Sequence, residues 1–421
     1  MAANQLIDVI AFGTEVGKVG YSLNERRSYF QYNPAFLDSG LYSRMFPFIF
    51  KRHKHTQIFS QYEGEAFKGL PPMIADSLPD MFGNIIFREW FESKSMAFDK
   101  ITPLEQLSYV ANRGMGALEY RPAALLPKSA GINFDEIVGV LHKVLEIKAG
   151  ARQENLSDLA LLNIFKIGTS AGGARPKILV SEHKESKAII PGDIEYSDEY
   201  NHYLVKLHIE GNDSYNREKV EYAYHLMAKA AGITMMDCRL IEDKHFATLR
   251  YDRLNGQKQH VLTASGLTGW DYTDPAQSTY ERLFELALGL KVPHKDIREL
   301  YRRMIFNIVF ANTDDHLKNH SFIYDPQNDA WNLGPAYDIT YPIDALHKFR
   351  RTPRAMAVNG KRVDIVLDDV MPIAEAMAIK NPMKIIREVQ EVLPQWWEFA
   401  KEAGVEEEVF LSVEKDFAAL V

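Results

Sequence analysis

The chain has 421 residues, carries a formal net charge of −8 at pH 7, and is 46% hydrophobic and 25% charged. These values exclude a disordered, collagen-like or disulfide-rich chain. The acidic balance argues against a surface that binds nucleic acid or membrane over its whole extent. Since one domain usually takes about 100 to 200 residues, the length predicts two or three domains.

Cysteine content and the N-terminus indicate the compartment. Cys238 is the only cysteine, so no intramolecular disulfide can form, and its apolar neighbours predict a buried thiol. The first residues lack the basic and then apolar regions of a signal peptide. No segment approaches the roughly 18 apolar residues of a membrane span. We therefore expect a cytoplasmic protein with no membrane association.

Residues 1–150 predict a β-rich N-terminal subdomain. The runs LIDVIAFG, KVGYSL and YFQYNPAFL predict a small antiparallel meander. Helical periodicity follows the Pro-Pro pair at 71–72 and recurs at residues 104–112 and 134–149, with the strand GALEYRP between the last two. Gly150 is the predicted end of the last helix and of the subdomain.

Residues 151–256 and 257–421 differ in predicted secondary structure. In the first range, the strands KILVS, KAIIP and HYLVKLH precede the helix NREKVEYAYHLMAKAAG and the strands RLIED and HFATLRYDRL. This order is that of a protein-kinase N-lobe. The second range is mainly helical, with periodic runs such as YERLFELALGL and IRELYRRMIFNIVFAN. The predicted fold class is therefore α+β, a two-lobed protein-kinase-like fold with a cleft between the lobes.

The segment ANTDDHLKNHSFIY, residues 311–324, concentrates polar groups directly after an apolar helix. Asp314 and Asn319 have the D-x-x-x-x-N spacing of a kinase catalytic loop, in which the Asp accepts the substrate hydroxyl proton and the Asn binds Mg²⁺. Asp338, in LGPAYDITYP, offers the second metal carboxylate, since Mg²⁺ prefers oxygen ligands. Asp315 does not fit the spacing. His316 is predicted to orient the loop by hydrogen bonding.

Two upstream features support phosphoryl transfer. KIGTSAGGARPKILV contains a turn with Gly172 and Gly173, where backbone N–H groups can approach phosphate oxygens closely, although it is not a P-loop. Lys206 lies among apolar residues in HYLVKLH. Kinases pair such a lysine with the nucleotide phosphates and with a helix glutamate, for which Glu221 is the predicted partner.

At these motifs the sequence resembles the HipA-like serine/threonine kinases, the toxin halves of bacterial toxin–antitoxin pairs. ANTDDHLKNHSF resembles the family's ATDGHAKNFS loop, PAYDI its FYDI metal motif, and SAGGARPK its SVAGAQEK loop. Weaker similarities include RYDR, like the family's RFDR hinge, and RAMAVNGKR. The resemblance extends from about residue 19 to about residue 362.

The resemblance implies that Asp314 is the catalytic base and that Asn319 and Asp338 bind Mg²⁺, with ATP and Mg²⁺ as cofactors. The remaining residues that it assigns to ATP are Lys206, Glu221, Ser170, Ala171, Gly172, Gly173, Ala174 and Tyr251. Ser170 falls where the family carries a serine that autophosphorylates, which expels the loop and silences the kinase. The adjacent Thr169 is the competing acceptor.

The implied partners are a helix-turn-helix antitoxin of the HipB type and a protein substrate, with aminoacyl-tRNA synthetases as the substrate class. DNA would be bound only through the antitoxin. Some positions depart from the family's pattern. Asp315 replaces a family glycine and adds a carboxylate beside Asp314, and Leu249 replaces an acidic residue near the adenine site. The basic run at residues 347–354 is either a solvated loop or a dock for an acidic partner.

Two other functions remain open from the sequence. A degenerate kinase fold could act as a corepressor that binds a DNA-binding antitoxin without catalysis. The same fold could instead phosphorylate a small molecule or a lipid. A metallohydrolase is disfavoured, because no further His or carboxylate pair at ligand spacing completes the Asp, Asp and His of the loop.

Overall fold

The computed structural model describes residues 5–79, 81–124, 134–148, 175–192, 197–211, 214–342 and 353–421. The chain forms two compact units. Unit 1 consists of Met1–Asn212 and Ala247–Val261, and unit 2 of Asp213–Phe246 and Leu262–Val421. The three-part division at residues 150 and 256 stays a prediction.

Unit 1 opens with an antiparallel sheet in the order β4-β3-β2-β1-β5. Its strands are β1 (Leu6–Ala11), β2 (Thr14–Ser22), β3 (Arg27–Tyr32), β4 (Gln57–Phe59) and β5 (Leu118–Arg121). Alternation places Val9 and Val19 in the core, while Asp8 and Lys18 form an ion pair on the other face. Gly17 is required in β2, because a Cβ there would lie 2.4 Å from the Gln31 carbonyl oxygen. The predicted meander is confirmed as far as Tyr32, but the end of its third run, residues 34–37, is helical.

Unit 1 also contains helices. They are α1 (Pro34–Ser39), α2 (Pro72–Ala75), α3 (Met81–Ser93), α4 (Pro103–Val110) and α5 (Phe134–Lys148). A capping box between Thr102 and Glu105 starts α4, which packs against β1, β2 and β5. The periodicity after residue 72 predicts helix without a break, but α2 and α3 are separate helices. Pro79 lies between them and disfavours helical backbone at the residue before it.

The second sheet of unit 1 contains the strand order β7-β6-β8-β10. Its strands are β6 (Lys177–His183), β7 (Ile189–Pro191), β8 (Tyr200–Lys206) and β10 (His245–Leu249), of which β10 enters unit 1 at Ala247. The short strands β11 (Arg253–Leu254) and β12 (Gln257–Lys258) follow. The predicted succession of strands and helix in residues 177–249 is confirmed.

Unit 2 is mainly helical. Its helices are α6 (Arg217–Ala230), α7 (Ala264–Thr268), α8 (Tyr280–Leu290), α9 (His294–Val309), α10 (Leu367–Ala376), α11 (Pro382–Gln390), α12 (Trp396–Glu402) and α13 (Glu407–Glu414). Helix α6 packs against α12, and the hydroxyl of Tyr224 donates to the Phe310 carbonyl at the end of α9, 2.7 Å away. Among the described residues, no helix combines the length and apolar composition that crossing a bilayer requires.

The strands of unit 2 include β9 (Cys238–Ile241), β14 (Ser321–Asp325) and β15 (Ala330–Leu333), and the chain enters the unit within β13 (His260–Thr263). The expected burial of Cys238 is wrong. The thiol residue is half-buried and its Sγ lies 3.4 Å from the Met236 carbonyl oxygen. The apolar neighbours of Cys238 do not lead to its burial, because every residue of β9 is only half-buried.

Candidate active site

The polar loop begins where α9 ends. The last turns of α9 are buried from Met304 to Val309, and Phe310 closes the helix. Ala311 then takes a left-handed backbone with φ of 51°, which turns the chain away from the helix axis. Residues 312–316 form the loop, and a 3₁₀ turn at Leu317–Asn319 connects it to β14. A buried helix therefore presents this run of polar side chains at its C-terminal end.

Asp314 lies in this loop, Asn319 ends the 3₁₀ turn that follows it, and the two residues are joined directly. The side-chain amide of Asn319 donates to the backbone carbonyl oxygen of Asp314 over 2.8 Å, and the backbone N–H of Asn319 donates to the His316 carbonyl over 2.8 Å. Asp314 is exposed. Because the Asn319 amide nitrogen is engaged in the loop, its amide oxygen is the atom able to bind a cation.

Asp338 is presented by a strained backbone after β15. Gly334 N–H donates to the Ser321 carbonyl and Ala336 N–H to the Thr234 carbonyl, both at 2.8 Å, which fixes the segment before it. Asp338 has φ of 56°, a left-handed conformation that non-glycine residues seldom adopt. Such strain persists where the surrounding structure imposes it, and it is concentrated at functional sites.

Asn319 and Asp338 line one pocket in unit 2. The pocket is bounded by Arg303, Asn307, Asn312, Asp315, Asn319, His320, Ala336, Tyr337, Asp338 and Ile339. Among the described residues, no group of three or more His, Cys, Asp or Glu side chains could hold a metal. One amide oxygen and one carboxylate suit a hard cation such as Mg²⁺, which keeps waters and phosphate oxygens as its other ligands. The residues present therefore fit that ion.

The two histidines of the loop have different surroundings. The His316 ring packs against Tyr272 with centroids 5.2 Å apart, and its Nδ1 is buried without a hydrogen-bond partner among the described residues. That His316 orients the loop by hydrogen bonding stays a prediction. His320 is buried at the pocket, and burial lowers the pKa of its imidazole to about 4, so it is neutral at pH 7.

A buried polar network that the sequence did not predict lies beneath the loop. Asp315 accepts hydrogen bonds from the Tyr280 hydroxyl at 2.7 Å and from the Arg354 guanidinium at 3.1 Å. Arg354 therefore offsets the negative charge that the sequence places beside Asp314. The crowding of polar residues after a buried helix was the available signal, since such groups must find partners. The partners themselves are distant in sequence.

The described residues that are predicted to bind ATP are divided between unit 1 and unit 2. Lys206 ends β8, is only 5% exposed, and pairs in register with Lys177 of β6 in unit 1. Tyr251 is buried just after β10 in the same unit. Glu221 is buried in α6 of unit 2. Ser170, Ala171, Gly172, Gly173 and Ala174 lie outside the described residues.

The RYDR motif forms a buried ion cluster in unit 1. Asp252 is fully buried and accepts from the Arg250 guanidinium at 2.9 and 2.8 Å, from Arg253 at 2.9 Å, and from the Gly116 N–H at 2.9 Å. Arg253 also donates to the Gly114 carbonyl at 2.7 Å. Burial alone would raise the pKa of Asp252, but the two guanidinium groups outweigh it and hold that pKa well below its usual range. The motif thus ties the end of β10 to the loop before β5.

Replacing Asp252 with Asn is expected to destabilise the protein by about 3 to 5 kcal/mol, because two buried guanidinium groups lose their counter-charge. Chemical denaturation followed by circular dichroism measures this. Since the folded pKa of Asp252 is depressed, the difference between wild type and variant should be complete above about pH 4 and shrink as the pH falls below that value. A pH-independent difference would contradict the charge argument.

Comparison with known families defines the class of the protein. The model of the HipA N-terminal domain matches residues 7–121, and that of the HipA-like C-terminal domain matches residues 169–397. The second alone spans more than half of the 421 residues. The chain therefore belongs to the HipA-like family.

Individual relatives agree with this assignment. A Sinorhizobium fredii protein named as a candidate kinase, Y4dM, is 28% identical over 198 residues, which are 43% of this chain and 48% of the relative. A Haemophilus influenzae protein, also named as a candidate kinase, is 32% identical over 101 residues, 24% of this chain and 28% of its own length. The matches thus span about half, or less, of the length of these relatives.

A solved structure shows the same fold. A chain of the Shewanella oneidensis MR-1 complex of the toxin–antitoxin proteins HipA and HipB with operator DNA superposes with a TM-score of 0.64 and 15% identity. The match covers 97% of this chain and 95% of that one. The α+β fold class predicted from the sequence is confirmed.

Proposed function

We propose that this protein is an ATP- and Mg²⁺-dependent serine/threonine protein kinase of the HipA toxin type. The observation that carries the proposal is the joint lining of one pocket by Asn319 and Asp338, with Asn319 bonded to the backbone of Asp314. This is the arrangement of side-chain types that phosphoryl transfer uses. The family membership and the kinase names of two relatives support the same reaction.

In this proposal the side chains have separate tasks. Asp314, the exposed carboxylate of the loop, accepts the proton of the substrate hydroxyl. Asn319 and Asp338 hold Mg²⁺, which neutralises charge on the phosphate oxygens when it is bound. Lys206, supported by Glu221, binds the nucleotide phosphates, and Tyr251 contributes to the adenine site. The strained backbone of Asp338 fixes its carboxylate before the substrate arrives.

Regulation by the glycine-rich loop is part of the proposal. Ser170, two residues before Gly172, is the proposed autophosphorylation site, and residues 170–177 are proposed to cover the nucleotide. A phosphate at Ser170 adds about −1.5 to −2 of charge, which would repel the triphosphate and favour an open loop. ATP affinity would then fall.

The proposed partners follow from the family. The Shewanella complex contains HipB and operator DNA with HipA, which supports a helix-turn-helix antitoxin as a partner of this chain. DNA would be bound through that antitoxin. The proposed substrate is a protein with a reactive Ser or Thr, and aminoacyl-tRNA synthetases are the substrate class that we propose.

Incubation of the protein with Mg²⁺ and γ-labelled ATP tests the proposal. Label should enter the protein only when Mg²⁺ is present, and peptide mapping by mass spectrometry should place phosphate on Ser170. Phosphate on Thr169 alone would refute the silencing mechanism but would not contradict the proposed kinase activity. Absence of transfer to the protein and to candidate synthetases would refute the kinase, and antitoxin binding by such an inactive protein would indicate a corepressor.

A further inference from the structure

The residue after the proposed base is buried and hydrogen-bonded. Asp315 is 1% exposed, and its carboxylate accepts from the Tyr280 hydroxyl at 2.7 Å, from the Arg354 guanidinium at 3.1 Å and from the Met356 N–H at 3.4 Å. We propose that the buried ion pair of Asp315 and Arg354 positions Asp314 for phosphoryl transfer. The inference rests on the proposed kinase function and adds two positioning residues to it.

The geometry joins both neighbours of Asp314 to the segment that begins at Arg354. On one side, the Ala355 N–H donates to the Thr313 carbonyl at 2.7 Å. On the other side, Asp315 holds Arg354 and the Met356 N–H. Because the residues before and after Asp314 are both fixed, its backbone is restrained, while its own side chain stays at the surface where a substrate can reach it.

The guanidinium of Arg354 does more than balance charge. It is 5% exposed, and one nitrogen reaches both the Asp315 carboxylate and the Asn312 carbonyl oxygen, the latter at 3.2 Å. The N–H groups of a guanidinium lie in one plane and point in fixed directions, so this nitrogen can serve both acceptors, which a rotating lysine ammonium does less well. Arg354 therefore fixes the start of the loop as well as its middle.

Two buried asparagines complete the hydrogen-bond network around Asp315. Asn312 donates to the Asn307 amide oxygen at 3.0 Å, and Asn307 donates to the Tyr280 hydroxyl at 3.0 Å. Burial, reinforced by the charge of Asp315, raises the pKa of Tyr280 well above its usual value, so this hydroxyl keeps its proton and donates to Asp315. The loop is thus fixed to both α8 and α9.

A purely structural pair would give a different result from a positioning pair. Loss of a structural pair lowers stability and leaves the activity of the folded fraction unchanged. Loss of a positioning pair lowers kcat in molecules that remain folded, because small misplacement of a reacting group costs up to about 100-fold in rate. Lys206, Glu221 and Tyr251, which are proposed to bind ATP itself, lie elsewhere in the chain, so KM for ATP at saturating Mg²⁺ should change little.

The experiment compares Asp315→Asn, Arg354→Gln and Arg354→Lys with Asp369→Asn as a matched control. Asp369 is also a buried carboxylate, 2% exposed, and it bonds to Lys361, Asn359 and the Val366 N–H. We expect kcat to fall at least about 10-fold in Asp315→Asn and Arg354→Gln, with KM for ATP within about twofold of wild type. Arg354→Lys should recover part of the loss, and Asp369→Asn should keep wild-type kcat.

Hydrogen exchange read by mass spectrometry separates this inference from the kinase proposal. Amides of residues 312–319 should exchange faster in Asp315→Asn than in wild type, and not in Asp369→Asn, whether or not the protein transfers phosphate. If wild type proves inactive, the kinase proposal fails and the exchange rates alone decide whether the pair restrains the loop. Unchanged exchange in Asp315→Asn, equal kcat losses in the control, or a kcat unaffected in Asp315→Asn would overturn the inference.

Discussion

The Asp338→Asn variant is expected to lose phosphoryl transfer by at least about 100- to 1,000-fold while remaining folded. The substitution removes the only carboxylate charge that we assign to Mg²⁺ and keeps the shape of the side chain. Asn also tolerates the left-handed backbone that residue 338 adopts, with φ of 56°, so little strain is added. Initial rates with γ-labelled ATP across a Mg²⁺ titration, together with circular dichroism, measure both effects.

Two further variants make this result specific. Asp314→Asn should lose a comparable share of the rate but retain Mg²⁺-dependent nucleotide binding, because the proposed metal ligands are intact. Asp325→Asn is the control, since that carboxylate caps an exposed turn after β14 by accepting from the Gln327 N–H at 2.9 Å. A folded Asp338→Asn protein with near wild-type rates would show that we have assigned the wrong metal ligand.

The sequence predicted those parts of the site whose partners are close in the chain. Asp314 and Asn319 are five residues apart, and the hydrogen bond that joins them lies within one short segment of the chain. Their spacing in the sequence was therefore enough to predict that the two residues lie close together. Elements such as β6, α6 and α9 were likewise recognised from local periodicity, whereas short elements such as α1 and β4 were not, and Pro79 separated α2 from α3. In each unit, the strands and helices that could be predicted are those that a run of neighbouring residues specifies.

The rest depended on contacts between residues remote in sequence. Asp315 and Arg354 are 39 residues apart, and Asp252 reaches the Gly116 N–H across 136 residues. No periodicity or spacing encodes such pairs, so Asp315 was interpreted as an extra charge beside the base and RYDR as a hinge motif. Burial changes both readings, because a carboxylate inside a protein is retained only where cations and N–H groups satisfy it.

Replacement of Lys206 with Met is expected to reduce kcat/KM for ATP by roughly 10- to 150-fold, the equivalent of about 1.5 to 3 kcal/mol for one charge-assisted hydrogen bond. Methionine retains much of the apolar stem that lies buried at the end of β8, so the fold should persist. Antitoxin binding should also persist, since the change is confined to the proposed phosphate contact. Calorimetry with a non-hydrolysable ATP analogue, and with the antitoxin, measures the two affinities.

The matched control for this result is Lys258→Met, which removes another largely buried lysine of unit 1. Lys258 donates to Glu119 at 2.8 Å and to the Asn112 carbonyl at 2.6 Å, and burial lowers its pKa to about 8. Its loss should lower stability and leave ATP affinity unchanged, which separates a general effect of removing a buried cation from a specific phosphate contact. If Lys206→Met kept wild-type ATP kinetics but failed to bind the antitoxin, Lys206 would belong to the partner interface and another cation would have to hold the nucleotide.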